Sequence, residues 1–377
     1  MMFLRRFCVR FFLLLFQRRN RTALSEVNTI LILTYMGIGN LILMSPMLQA
    51  LRAAMPNARI IIQGSKAAHS SVILPEGLVD EHHIVDVAEN SIWRFLKRGF
   101  VLRNQVDLLI SDCHSLIFSL MSQVALMNIP NRIGHISSER WQGNYDFIYN
   151  LPVSMPAFSH EIDRYLRLLR PLEAYQAISP ESANLLFSLQ DKDVVHARNF
   201  MASLPNRKHV LGVQIGASVL WKQYPKALLV SVLSQLSAYP IMFVFLGSPA
   251  DLALGEEIRD ELNTVDSIVI HMTAELSQSA AVISGLDAVL TNDSGLMHVA
   301  HAFRKPLVAL YGPTEYERTA PHGENVRLIR GECPCQPFED IMNHQAVQNC
   351  PNDRVCLSSI SSENVVQEVL ASLEIAL

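Results

Sequence analysis

Acid is missing from the start of this chain. Glu26 is the first carboxylate, and it follows Arg5, Arg6, Arg10, Arg18, Arg19 and Arg21. Charge is sparse throughout. Asp, Glu, Lys and Arg make up 18% of the residues and the formal net charge is -4, which excludes a protein built to coat nucleic acid. Cysteine is sparse as well, and six in 377 residues exclude a small disulfide-bonded secreted scaffold. No apolar run reaches the roughly 20 residues that a membrane-crossing helix needs. The candidate at 227–246 is split by Ser231, Ser234, Gln235, Ser237 and Pro240 into a helix and a strand. What the chain does have is apolar bulk. Half of its 377 residues are hydrophobic, enough for a large core and, by length, for two domains.

Among the N-terminal arginines lies Phe11-Phe-Leu-Leu-Leu-Phe16. It is too short to span a bilayer. Arg10 interrupts it, and Arg18, Arg19 and Arg21 stand where a signal-peptide cleavage site would be. Residues 1–25 therefore read as a basic amphipathic segment lying on an anionic membrane surface. A disordered N-terminus is the bland alternative.

Beyond this segment strands and helices alternate. Thr29-Ile-Leu-Ile-Leu-Thr34 is a buried-type strand, Tyr35–Asn40 a glycine turn, Leu41–Met55 a helix and Arg59–Gln63 the next strand, a βαβ unit of a parallel sheet. Further strands are expected at Glu81–Val87, Val106–Asp112 and Asn131–Gly134, and helices at Ile92–Leu102, Leu116–Met127 and Glu161–Leu172. The pattern loosens over 173–207, apart from an expected helix at Asp191–Ala202, and then resumes. Strands are expected at His209–Ile215, Ile241–Leu246, Ser267–His271, Asp287–Thr291 and Leu307–Tyr311, with helices between. Ser362–Leu377 reads as an amphipathic helix. The domain plan is a basic segment over 1–27, a Rossmann-like domain over 28–172, a linker over 173–207, a second Rossmann-like domain over 208–357 and a helical tail over 358–377. Ligands of such sheets bind at the carboxyl ends of the strands.

Three loops in the second half look directed at an anion. Asn292-Asp293-Ser294-Gly295 joins a strand to a helix N-terminus, where free N–H groups and the helix dipole favour negative charge. Asp293 or Ser294 is expected to cap that helix, and Gly295 lets a ligand approach the backbone. Gly216-Ala-Ser218 ends another strand and is followed by Lys222, which can meet a phosphate as a point charge. Gly312-Pro-Thr314 is the third. Singly, Lys222 is an ordinary surface lysine, Asp293 a cap and His298 a helix histidine facing the core. Together they suggest a diphosphate held by amides, a hydroxyl and a lysine. No Asp-x-Asp pair lies in these loops, so no metal and no other cofactor is expected.

These residues also carry a family resemblance. Asn292-Asp-Ser-Gly-Leu-Met-His298, then Ala300, Ala302, Pro306 and Tyr311-Gly-Pro-Thr314, resembles the signature of the family 9 glycosyltransferases, the bacterial ADP-heptose:lipopolysaccharide heptosyltransferases and their relatives. Gly39-Asn40, Pro46, Leu48 and Pro56 resemble the family's opening unit, Gly216–Pro225 its donor-phosphate loop, and Cys350–Val365 a cysteine-containing tail of some members. The resemblance runs from about residue 28 to the end. It implies an α/β, GT-B architecture of two Rossmann-like parallel-sheet domains facing a cleft. The second would bind a nucleotide-diphosphate sugar, ADP-heptose by family likeness. The first would bind a lipid-linked glycan acceptor, the lipopolysaccharide core, on the inner face of the bacterial inner membrane. Transfer would invert the anomeric centre without a metal. Gly216, Ser218, Lys222, Asp293, Ser294, Gly295, His298, Gly312 and Thr314 would form the donor side, and Gly37, Gly39 and Asn40 the acceptor side.

One position departs from the family. Its members carry an aspartate as the expected base where this chain has Asn40, and an amide cannot take a proton at neutral pH. Asp112 and His114 are the substitutes at a neighbouring strand end, although Asp112 reads equally as a helix cap. Asn40 therefore leaves open an inactive binding relative, and the shared fold leaves open an epimerase-type nucleotide-sugar enzyme. Cys333, Cys335, Cys350 and Cys356 do not have zinc-ribbon spacing. They read as free thiols or, with His344, as a structural zinc site.

Overall fold

The structure is a computed structural model that describes residues 2–17, 23–35, 37–64, 72–85, 92–112, 118–136, 145–155, 159–179, 182–205, 208–217, 219–262, 267–332 and 355–376. It divides into two compact units, Met1–Leu186 and Phe187–Leu377.

The first unit is built on six parallel strands: β1 Thr29–Thr34, β2 Arg59–Gly64, β3 Glu81–Ile84, β4 Leu108–Ser111, β5 Asn131–Ile136 and β6 Leu151–Ser154. They lie in the order β3-β2-β1-β4-β5-β6. Ile30–Leu33 of β1 are buried on both faces, as a central parallel strand must be. Leu31, Leu33 and Leu109 pack under a helical layer made by α1 Met2–Phe16, α3 Ile92–Val101 and α4 Phe118–Met127. Helices α2 Ile38–Ala54 and α5 Glu161–Arg167 pack against each other.

Helix α1 belongs to this unit. Val9 is fully buried in its core, with Phe12 and Leu13 packed alongside. The Gln17 amide donates to the carbonyls of Val124 (2.8 Å) and Ala125 (2.9 Å), and Arg103 donates to the last helical carbonyl, on Phe16, at 3.3 Å. Burial of one apolar stripe overcomes what a short isolated helix would lack in intrinsic stability. Residues 2–16 are thus a docked layer, not a loose leader. Among the described residues no helix is long and apolar enough to cross a membrane.

The second unit repeats the plan. Its parallel strands are β7 His209–Gln214, β8 Ile241–Gly247, β9 Ile268–Met272, β10 Ala288–Asn292, β11 Leu307–Tyr311 and β12 Val326–Arg330, in the order β12-β11-β10-β7-β8-β9. Helices α6 Asp191–Ser203, α7 Lys226–Leu236, α8 Leu252–Leu262, α9 Leu276–Gly285 and α10 Gly295–Ala302 flank it. The last helix, α11 Ser362–Ser372, buries Val365, Val366, Val369 and Leu370 in this unit's core. Both sheets reverse direction beside their first strand, between β1 and β4 and between β7 and β10. At such a switch point the flanking helices diverge and leave room for a ligand at the strand ends.

Several sequence expectations shift. The glycine turn is shorter than expected, because α2 starts at Ile38 and takes Gly39 and Asn40 into its first turn. The expected helix 161–172 ends at Arg167 and gives way to a 3-10 turn containing Pro171, whose ring cannot continue an α-helix. Two strands, β6 and β12, escaped the sequence reading. Both are short edge strands with half-exposed patterns.

Candidate functional site

The site of interest grows out of the switch point of the second unit. Strand β10 ends at Asn292, and that side chain ties the local chain together. Its amide nitrogen donates to the carbonyls of Gln214 (3.3 Å) and Gly216 (3.1 Å), and its oxygen accepts from the Tyr224 N–H at 3.0 Å. The ends of β7 and β10 and the start of α7 are therefore held as one piece. Gly216 has to be bare, since a Cβ there would lie 2.2 Å from Asp251 Oδ1.

On this frame three loops meet at one carboxylate. Asp293 Oδ2 lies 2.7 Å from Lys222 Nζ and accepts the Thr314 hydroxyl at 2.6 Å. The side chains are largely buried, 21% exposed for Lys222 and 8% for Asp293. Burial pushes the Asp293 carboxyl up, but the Lys222 charge, the bonds from Lys222 and Thr314 and the proximity of His298 outweigh it, and the group sits below its ordinary value. Burial also drives the Tyr311 phenol well above its usual range, with the Asp293 charge adding to the effect. His298 is buried, 5% exposed, on the first turn of α10. Lys222 also lies over the buried Trp221 ring, 5.4 Å from its centroid.

The expected helix cap is absent. Ser294 stands at the N-cap position of α10, yet its hydroxyl donates to Gln214 Oε1 at 2.6 Å, and no side chain caps the helix. Asp293 is committed to Lys222 and Thr314 instead. The first N–H groups of α10 thus face the same corner as an ammonium, with no side-chain acceptor of their own. Such a corner can hold an anion and stabilise negative charge that develops on it. Gly312 follows the end of β11, two residues before Thr314. A Cβ there would come within 2.8 Å of Leu357 Cγ, so the glycine lets the end of β11 pack on the C-terminal segment. Ser218 lies outside the described residues.

The residues expected on the acceptor side stand at the first unit's own switch point. Gly37 is the N-cap of α2, with open space where a Cβ would stand. Asn40 is half-buried, and its side-chain oxygen accepts from the Tyr165 hydroxyl at 3.2 Å. Asp112 follows the last residue of β4 and is 1% exposed. His114 lies outside the described residues, as do Cys333, Cys335, Cys350 and His344. Cys356 is buried, with its carbonyl packed where a Cβ on Gly331 would collide.

The family model of glycosyltransferase family 9 (heptosyltransferase) matches residues 96–346, well over half of the chain, and this stretch contains the whole Lys222–Asp293–Thr314 corner. The protein belongs to glycosyltransferase family 9. Over 122 residues the chain is 38% identical to lipopolysaccharide heptosyltransferase 2 of Escherichia coli, covering 32% of this chain and only 34% of that protein. A longer alignment, 25% identical over 329 residues, joins it to lipooligosaccharide heptosyltransferase 2 of Haemophilus ducreyi and covers 80% of this chain and 88% of the relative. Among solved structures, E. coli ADP-heptose lps heptosyltransferase II superposes with a TM-score of 0.69 at 24% identity, over 92% of this chain and 98% of that one. The fold is accordingly GT-B, an α/β architecture of two Rossmann-like parallel-sheet units. A match to transferases leaves the epimerase reading without support. The match begins at residue 96, so Gly37, Gly39 and Asn40 fall outside it.

Some partners were not foreseen in the sequence. Gln214 is the polar end of a strand whose interior, Val210–Val213, is apolar, which was the signal available for it. Tyr165 lies 125 positions from Asn40, and nothing local linked them.

Proposed function

We propose that the transferase moves heptose from ADP-heptose onto the core of lipopolysaccharide or a related cell-surface glycan, inverting the anomeric centre without a metal. The observation that carries this reading is the corner where Lys222, Asp293, Thr314 and the uncapped start of α10 converge. In the proposed mechanism the diphosphate of the donor lies on the α10 amides, beside Gly216, Ser294, Gly295 and Gly312. Lys222 neutralises the charge that grows as the sugar–oxygen bond breaks. Asp293 and Thr314 keep the lysine in place, and His298 lines the same pocket. The names of the relatives, heptosyltransferases acting on lipopolysaccharide and lipooligosaccharide, supply the sugar and the acceptor class.

On the acceptor side, Asn40 orients the incoming hydroxyl through its amide, and Asp112 is assigned the proton. An amide cannot act as base, and Asp112 is the carboxylate at the neighbouring strand end. The transferase would work peripherally, on the inner face of the bacterial inner membrane where its lipid-linked acceptor lies.

The test is a screen of the purified chain with ADP-, UDP- and GDP-sugars against heptose-deficient lipopolysaccharide core, read by mass spectrometry. Transfer from ADP-heptose alone is the expected result. Binding of the donor with no transfer to any core acceptor would instead support an inactive relative, the reading that Asn40 motivates.

A further inference from the structure

We propose that α1 and α3 together form one docking face for an anionic phospholipid surface. The inference rests on the peripheral location proposed above and gives it a structural basis. Helix α1 carries two apolar stripes. One, around Val9, is buried on the sheet and α4. The other is uncovered: Leu4, Phe7, Phe11, Leu14 and Leu15 recur at helical spacing on the opposite side, with Phe7 59% and Leu14 81% exposed. An apolar stripe this wide is not an ordinary scatter of surface hydrophobes.

Helix α3 extends the face. It is seated on α4 through Gly99, where a Cβ would come within 2.8 Å of the Gln123 carbonyl. Its outer side therefore presents Trp93, Phe100 and Val101, and Trp93 is 75% exposed. Phe16, at the end of α1, meets the exposed Phe100 of α3 edge-on, with ring centroids 5.8 Å apart, so the two helices adjoin at that end. Trp is suited to the boundary between headgroup and acyl chain, where its ring is apolar and its N–H stays wet.

Charge selects the occupant. Neither helix contains an acid, while Arg5, Arg6, Arg10, Arg94 and Lys97 lie on them, in a chain whose net charge is -4; Arg98 turns inward to Gln63 Oε1. Pairing this face with a second copy of itself would bring like charges together. An anionic bilayer surface attracts them, by about fivefold in partition for each basic side chain near it at low salt. The apolar stripe and the basic flanks together match an interfacial helix, whose affinity is the sum of area and charge.

The test is flotation of the full chain with vesicles holding phosphatidylglycerol, or phosphatidylcholine alone, and with no sugar donor or acceptor present. The native chain should float with the anionic vesicles and bind the neutral ones at least tenfold more weakly. The double substitution Phe7→Ser/Leu14→Ser should lower anionic binding at least tenfold with an unchanged melting temperature, because neither side chain is in the core. Lys97→Gln/Arg94→Gln should lower it less and flatten its salt dependence. Undiminished binding by the folded apolar variant would overturn the proposal. So would equal binding to both lipids, or a lipid-free dimer that the same variant dissolves. A chain that floats as expected but transfers no heptose would leave this face intact and remove only the proposed reaction.

Discussion

Asp293 and Lys222 form a largely buried pair in which stability and the proposed phosphate contact meet. Removing one partner of a buried pair strands the other, at a cost of about 3–5 kcal/mol in well-buried cases and less for a lysine with Lys222's partial exposure. Asp293→Asn should therefore lower the unfolding free energy measured in urea at neutral pH by about 2–4 kcal/mol. The carboxyl is held below its usual value of 3.8 in the folded state. Its contribution is complete above that value and is lost as pH falls through the lower folded value, so the gap between variant and parent should narrow only in strong acid. Lys222→Ala should weaken ADP binding about 10- to 100-fold by calorimetry, the loss expected for a charge-assisted bond. Unchanged affinity would sink the phosphate role.

His271 shifts stability in the same direction, for a different reason: burial disfavours its charged form. Burial, together with neighbouring His196, pushes its pKa from 6.5 down to about 4. Below pH 6.5 the unfolded chain takes up a proton that the folded one refuses, so stability falls as pH drops from 6.5 towards 4, by on the order of 2–3 kcal/mol. In His271→Leu that stretch of the pH–stability curve should flatten, whatever the variant does to overall stability.

At the scale of elements, the strand–turn–helix unit at 288–302 was legible because its parts are local. An apolar strand, a polar turn with glycine and an apolar helix need no distant partner to be recognised. The choice of partners was not. Asp293 or Ser294 as cap is the simplest local reading, yet Lys222, Thr314 and Gln214, each far along the chain, claim those side chains. Strands β6 and β12 were missed because edges carry little of the pattern that buried strands carry. Pro152 in β6 and the exposed arginines of β12 are tolerable only at an edge, where one side of the ladder is unpaired. The cores were legible, since Ile30–Leu33 and Met242–Leu246 are continuous apolar runs that only a two-sided parallel sheet can cover. Helix α1 was half legible: its amphipathic face was evident, but not that its other face is core. Val9→Ala should accordingly cost about 1–2 kcal/mol in unfolding free energy, while a serine at Leu14 should cost little.

At the scale of the molecule, each unit has its own six-stranded sheet and its own core. Each is then expected to melt as a separate transition. ADP at 100 times its dissociation constant should stabilise the unit that carries Lys222 and Asp293 by about 2.7 kcal/mol and leave the other transition in place. A shift confined to the transition of the unit Met1–Leu186 would relocate the nucleotide site.

The docking of α1 also bears on how the chain is made. Gln17 bonds to carbonyls 107 and 108 positions downstream, so α1 leaves the ribosome well before its seat is made. At about 5–20 residues per second the delay is of order ten seconds. Throughout it, both apolar stripes of α1 are bare. A nascent chain stalled before α4 should therefore float with anionic vesicles more avidly than the finished protein. Folding would then withdraw one stripe into the core and, on the docking proposed above, turn an early, tight landing into a reversible one.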